Sequence, residues 1–325
     1  MNFLYETLGV PFGLLLRLIY ESIGFQNYAV SIILLTFISR LIMTPSSISQ
    51  QKGMAKTQRL QPKLRRIQTK FAGDQRRIQE ETTALYQREG YNPMNAGCAP
   101  MLVQFLLLFG LIGAIYYPLS NFLRIDNAQI ELLTQAVTKL DLGSATNTSH
   151  LAELLVIQHI DSLQGIAGVS QATYDAIKAI DFNFFGLFSL GDVPTNYKDF
   201  GTYGAKAVAI WMIPVLSFLS SLASGIYTQM KQKKTNPTMS NNPAMGCMTF
   251  GMPIFSLLIV INYPVGIGIY WIASSIFGLL STIIIGHFYS PKKTIAKIMV
   301  DETVERRSRE NNLKLVAADK TESNS

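Results

Sequence analysis

Read as alternating apolar and polar stretches, the chain divides into five long apolar runs, at residues 28–49, 98–120, 207–228, 246–263 and 264–288. Each approaches the roughly 20 predominantly apolar residues that a helix needs to cross a bilayer. Between the first two runs the pattern changes: Leu60, Leu64, Ile67 and Phe71 recur at helical spacing. After the break at Ala72-Gly73-Asp74, the residues Ile78, Thr82 and Leu85 continue a narrow stripe. That predicts a helical hairpin over 50–97, with Asp74 capping the second arm and Gly90 and Pro93 ending it. Residues 121–206 form a long polar segment of mostly helical periodicity, in which Ile130, Leu133, Val137 and Leu140 make one stripe. A tight turn at Tyr263-Pro264 joins the last two runs. Residues 289–325 are charged and Ser/Asn-rich, as expected of a helix followed by a disordered tail.

Residues 1–27 are too short and too interrupted to span. They lack the basic leader and cleavage site of a signal peptide, and no cysteine follows for a lipid anchor. An amphipathic helix lying in the membrane interface is the expectation there. The fold class is therefore all-α: a polytopic membrane protein of five spans with a basic hairpin. Composition agrees, since the 325 residues are 48% apolar and only 15% charged.

Charge sets the orientation. Residues 50–97 carry ten basic side chains against four acidic ones, and Lys231, Lys233 and Lys234 fill the short acid-free loop 229–245. The positive-inside rule puts both in the cytoplasm, so the N-terminus is outside, the C-terminus inside and 121–206 extracytoplasmic. The hairpin cations, including Arg59, Lys63, Arg65, Arg66, Arg76 and Arg77, suit anionic lipid or ribosomal RNA.

One charge breaks the apolar pattern. Arg40 lies well inside the first span, where an arginine costs about 2.5–3.5 kcal/mol on translocon scales and normally faces protein or water. The Cα–Cβ bonds of an outside-to-inside helix point its side chains toward the membrane centre, so Arg40 is expected to face inward rather than snorkel. Thr36 lies on the same face, four residues earlier, where its hydroxyl can help solvate the guanidinium. Gln104 in the second span fits either an interhelical hydrogen bond or a polar groove. Ser217, Ser220, Ser221 and Ser224 suggest close helix packing, and Tyr270 and Trp271 suggest interface anchors. Cys98, Cys247 and the three histidines lack ligand spacing. No metal, cofactor or enzyme chemistry is indicated. Asn147-Thr-Ser149 matches a glycosylation acceptor, a pattern common by chance.

Several stretches together resemble the YidC family of membrane protein insertases. They are Thr36-Phe-Ile-Ser-Arg40 with Pro45, Met54-Ala-Lys-Thr-Gln-Arg-Leu-Gln-Pro62, Ala84-Leu-Tyr-Gln-Arg-Glu-Gly-Tyr-Asn-Pro93, Cys98-Ala-Pro-Met-Leu-Val-Gln104, Met248-Thr-Phe-Gly-Met-Pro253 and Tyr263-Pro-Val-Gly-Ile-Gly-Ile-Tyr-Trp271. The resemblance covers nearly all of 28–290 and implies a bacterial plasma-membrane protein of the short, Gram-positive-like form. It implies a positively charged groove, closed outside, with Arg40, Thr36, Gln104, Tyr270 and Trp271 around it. It also implies a substrate slide, for which Met101, Phe105, Met252, Pro253 and Phe255 are candidates. Nascent membrane proteins, the Sec translocon and the ribosome are the implied partners. Segment 121–181 is longer than the usual connection. The alternative is a solute or anion transporter using Arg40 as its site. Internal repeats, broken helices and several intramembrane polar sites would favour that, whereas the sequence offers one intramembrane ionisable residue and a basic hairpin instead.

Overall fold

The computed structural model describes residues 2–90, 106–140, 151–235, 243–289 and 291–322. Nearly every described element is helical. In order they are α1 (Asn2–Ser22), α2 (Tyr28–Ile42), α3 (Thr44–Lys70), α4 (Gln75–Arg88), α5 (Leu106–Tyr116), a π-type turn (Pro118–Leu123), α6 (Asn127–Thr138), α7 (Ala152–Gln158) and α8 (Gln171–Lys178). A two-residue hairpin of β1 (Asn183–Phe184) and β2 (Phe188–Ser189) precedes α9 (Phe200–Thr235), α10 (Pro243–Asn262), α11 (Val265–Phe288) and α12 (Pro291–Glu322). That two-residue hairpin is the exception in a segment, 121–206, that is otherwise helical or irregular among the described residues.

Among the described residues, Phe200–Lys231 and Val265–Phe288 are each long and apolar enough to cross a membrane, and Tyr28–Ile42 taken with Thr44–Gly53 makes a broken third. Leu106–Tyr116 and Thr249–Asn262 are shorter apolar helices. The first span is not continuous over 28–49, because α2 stops at Ile42 and Met43 separates it from α3. Pro45 accounts for the break: it has no N–H for the Leu41 carbonyl, and its ring crowds that carbonyl.

The chain forms two compact units, 1–44 with 101–281 and 45–100 with 282–325. In the first, one apolar core gathers Leu16 and Ile19 of α1, Tyr28 and Ile32 of α2, Ile115 of α5, Ile210 of α9 and Ile267 of α11. The approach of α1 is unusually close. A Cβ on Gly13 would lie 2.2 Å from the carbonyl oxygen of Asn121 in the π-type turn, and one on Gly9 would lie 2.4 Å from Asn121 Nδ2. Asn121 is 3% exposed and donates through Nδ2 to the Gly113 carbonyl at 2.9 Å. Two glycines one helical turn apart thus admit a buried amide.

Glu153 of α7 holds the other side of this turn. Its carboxylate accepts from the backbone N–H groups of Leu119 (2.7 Å) and Ser120 (3.1 Å) and from the Ser120 hydroxyl. Burial pushes the carboxyl up to about 7, against the downward pull of the Ser120 hydroxyl and the two backbone donors. Around it a second core collects Ile130, Leu133 and Val137 with Val156, Leu163, Tyr174 and Ile177. The stripe read from the sequence is therefore the face that packs, with Leu140 at its partly covered end.

Asp192, also buried, ties three elements together. Its carboxylate lies 3.1 Å from Lys206 Nζ on α9 and accepts from the Tyr197 hydroxyl (2.7 Å), Gln158 Nε2 (3.2 Å) and Ser189 N (2.9 Å). Its own carbonyl accepts from Val265 N at the start of α11 (2.9 Å). Farther along α9, Ser217 is fully buried, Ser221 and Ser275 of α11 share a hydroxyl contact at 3.1 Å, and a Cβ on Gly225 would meet the Thr249 carbonyl of α10 at 3.1 Å. The small residues of α9 do allow close packing.

In the second unit, Asp74 caps α4 by accepting from Arg77 N at 3.1 Å, while Gly73 turns the chain at φ 97°. Lys63 pairs with Glu89 between the two arms. The tail differs from expectation, since α12 runs unbroken to Glu322. Ion pairs one turn apart, Arg306 with Glu310 and Arg309 with Glu305, support it in a segment rich in good helix formers.

Candidate functional site

The Arg40 side chain lies within the first unit, in a narrow cleft lined by Phe12 of α1, Thr36, Ser39 and Arg40 of α2, Leu107 and Leu111 of α5, and Tyr270 and Ser274 of α11. Local sequence sets up each wall. Asn27 caps α2, accepting from Val30 N at 3.1 Å, and Tyr28 fixes the helix against α5 through its hydroxyl to the Ala114 carbonyl at 2.7 Å. These bonds place Thr36 and Arg40, one turn apart, on the cleft side. On α11, Tyr270, Ser274 and Gly278 recur every four residues and so share the face opposite α2. A Cβ on Gly278 would be 3.8 Å from the guanidinium carbon of Arg40, and Phe37 meets Phe277 at 5.1 Å between ring centroids.

The Arg40 guanidinium donates to the Ser274 hydroxyl. Among the described residues no carboxylate pairs with it, so its charge is met only by hydroxyls and the cleft. A partly buried cation of this kind attracts an acidic or otherwise electron-rich group entering from solvent. Thr36 contributes less than its position suggests, because its hydroxyl proton goes to the Ile32 carbonyl at 2.7 Å, leaving only oxygen lone pairs.

Tyr270 lines the cleft, but Trp271 is buried in the apolar core outside the lining, and neither ring is an exposed interface anchor. Gln104, Met101 and Phe105 lie outside the described residues, as do Cys98 and Asn147-Thr-Ser149. Of the other slide candidates, Met252 and Phe255 project from α10 with about half their surface exposed, whereas Pro253 is buried. On the second unit Lys63, Arg65, Arg66, Arg76 and Arg77 are exposed and Arg59 is partly covered. Among the described residues no three His, Cys, Asp or Glu side chains are placed to hold a metal. Ser39, Ser274 and Gly278 were not singled out from sequence, although the four-residue spacing behind Tyr270 carries that signal.

The sequence profile of the family described as 60Kd inner membrane protein matches residues 18–293, which takes in every wall of the cleft except Phe12. The chain belongs to that family. A relative named membrane protein insertase MisCA, from Bacillus subtilis (strain 168), is 24% identical over 265 residues, or 80% of this chain and 70% of its own length. Relatives named membrane protein insertase YidC match over 115 residues, 35% of this chain. One, from Syntrophus aciditrophicus (strain SB), is 36% identical over 21% of its own length. The other, from Fusobacterium nucleatum, is 34% identical over 55% of its own length. The match thus spans well under two thirds of those two relatives, while most of the Bacillus protein is covered.

Proposed function

We propose that this family member is a membrane protein insertase and chaperone of the bacterial plasma membrane, whose Arg40 cleft receives the polar end of a nascent membrane protein. The observation that carries this reading is the cation itself, set among apolar helices and answered, among the described residues, by the Ser274 hydroxyl rather than by a carboxylate. No bond is made or broken in such a reaction. A polar cleft shortens the apolar barrier that a hydrophilic segment must cross, and a fixed positive charge favours acidic segments. The reading includes five spans with the N-terminus outside, counting the shorter apolar helices Leu106–Tyr116 and Thr249–Asn262 as parts of spans. The exposed cations of α3 and α4 are its contact for anionic lipid or the ribosome, and the Sec translocon is a partner for larger substrates.

The test is complementation at matched expression in cells depleted of their own insertase. Arg40→Ala should impair insertion of substrates with acidic translocated ends, and Arg40→Lys should largely retain it, because charge rather than a bidentate fork matters. If Lys is as inactive as Ala, charge attraction is the wrong mechanism. Single cysteines at Thr36 and Arg40, in a background without Cys98 and Cys247, should react with an impermeant thiol reagent from the cytoplasmic side only. Equal labelling from both sides would indicate a pore and favour the transporter.

A further inference from the structure

The tip of the β1–β2 hairpin is built against ordinary turn chemistry. Leu187 N donates to the Phe184 carbonyl at 3.0 Å, and both intervening residues have positive φ, 48° at Phe185 and 75° at Gly186. Two left-handed residues closing a hairpin favour Asn or Asp at the first position, and a bulky aromatic residue there is strained. Phe185 is nonetheless 68% exposed and Leu187 55%, so packing within the chain does not offset that strain. The α1–α2 turn repeats the anomaly: Phe25 has φ 53° and is 88% exposed.

These two turns are neighbours. Tyr28 N donates to the Asp181 carbonyl at 3.0 Å, and Asn27 Nδ2 donates to the Asn183 carbonyl at 3.1 Å. Each exposed ring therefore stands two residues from a shared hydrogen-bonded base. Phe184, stacked on Phe188 with centroids 5.2 Å apart, braces Phe185 from behind at 5.1 Å. Residues 183–191 carry no charge. The apolar surface also continues, since Leu14, Leu15 and Leu18 form an exposed strip on α1 that leads through Ile23 to Phe25. In water such a strip is a liability, whereas in a membrane-family chain its neighbour is lipid.

We propose that Phe25, Phe185 and Leu187 form a membrane anchor that inserts into the boundary between headgroups and acyl chains, continuing the lipid-facing strip of α1. Phe and Leu side chains bury apolar surface at that boundary, and Phe25, Phe185 and Leu187 expose theirs from two adjoining turns. The anchor depends on the chain's sitting in a bilayer and not on what the Arg40 cleft does.

The experiment uses the full chain lacking Cys98 and Cys247, reconstituted in phosphatidylcholine–phosphatidylglycerol vesicles. Single spin labels are placed through Phe25→Cys, Phe185→Cys, Leu187→Cys and, as a solvent reference, Asp161→Cys. Collision with oxygen should exceed collision with a soluble nickel chelate several-fold at the three anchor sites, with the reverse at the reference. Nickel exceeding oxygen at the anchor would overturn the proposal in favour of a wet loop. Low collision with both would overturn it in favour of a protein partner or a second copy. Adding Phe185→Asn, which relieves the turn, should shift the Leu187→Cys label toward water, and an unmoved label would show that Phe185 does not anchor. If the cysteine variants fail to fold, the unaltered protein decides: a photoactivated lipid-phase carbene should modify residues 182–190 in the same vesicles, and an unmodified segment would refute the anchor.

Discussion

Glu153→Gln should abolish a pH dependence that the buried carboxyl imposes on the core around the π-type turn. Burial raises the Glu153 carboxyl from 4.5 to about 7, so between those values the folded chain holds a proton that the unfolded chain releases. Stability contributed by the neutral form is then fully present below the unfolded value and falls as pH rises through about 7. The gap corresponds to about 3 kcal/mol once ionisation is complete. Glutamine keeps a carbonyl oxygen for the Leu119 and Ser120 N–H groups and never ionises, so the variant should match the parent near pH 5 and exceed it at pH 8. Hydrogen exchange of residues 118–123 and 151–158, corrected for intrinsic rates, reads this locally in detergent or vesicles. A carboxyl stretching band that disappears with a midpoint near 7, and is missing in the variant, gives an independent readout. Parallel pH profiles for the two proteins, or a midpoint near 4.5, would refute the reasoning. The three donors would then outweigh burial.

Gly13→Ala should displace α1, because the new methyl falls on backbone rather than on a movable side chain. The expected loss is about 1–3 kcal/mol, read as protease sensitivity of residues 8–22. Asp74→Ala should cost about 1 kcal/mol of α4 stability by removing its cap. Exchange should quicken in 75–81 and stay unchanged in α2 and α11. Asp192→Ala leaves the Tyr197 hydroxyl and the Ser189 N–H without their acceptor and should cost about 1–3 kcal/mol. Faster exchange at the first turn of α9 and at Ser189 is the signature, while the Val265 N–H, held by the backbone carbonyl that alanine keeps, should stay protected; unchanged exchange at α9 would refute the carboxylate's role.

Residues whose partners lie within one or two helical turns were legible in the sequence. Thr36 and Arg40 share a cleft because helix geometry alone puts them on one face, and Gly73-Asp74 turns and caps because both roles are local. Asn121 and Glu153 were not legible, for the opposite reason. Asn121 is buried by glycines of α1 more than a hundred residues earlier, and Glu153 by a π-type turn thirty-odd residues before it. The hairpin escaped notice because its turn carries Phe-Gly where hairpin chemistry prefers Asn-Gly or Asp-Gly. Trp271 shows the limit of reading aromatics by position along a span, since the register of α11 turns Tyr270 to the cleft and Trp271 to the core.

The grip of Asp192 fixes one end of the α11 wall of the Arg40 cleft. By holding Lys206 with its carboxylate and Val265 N with its carbonyl, it pins the starts of α9 and α11 at one end. Ser274, which meets Arg40, is nine residues farther along α11, about 13 Å at helical rise. A wall pinned at one end moves most toward the other, so any swing of α11 is felt at Ser274, and through it at Arg40, while Val265 stays put.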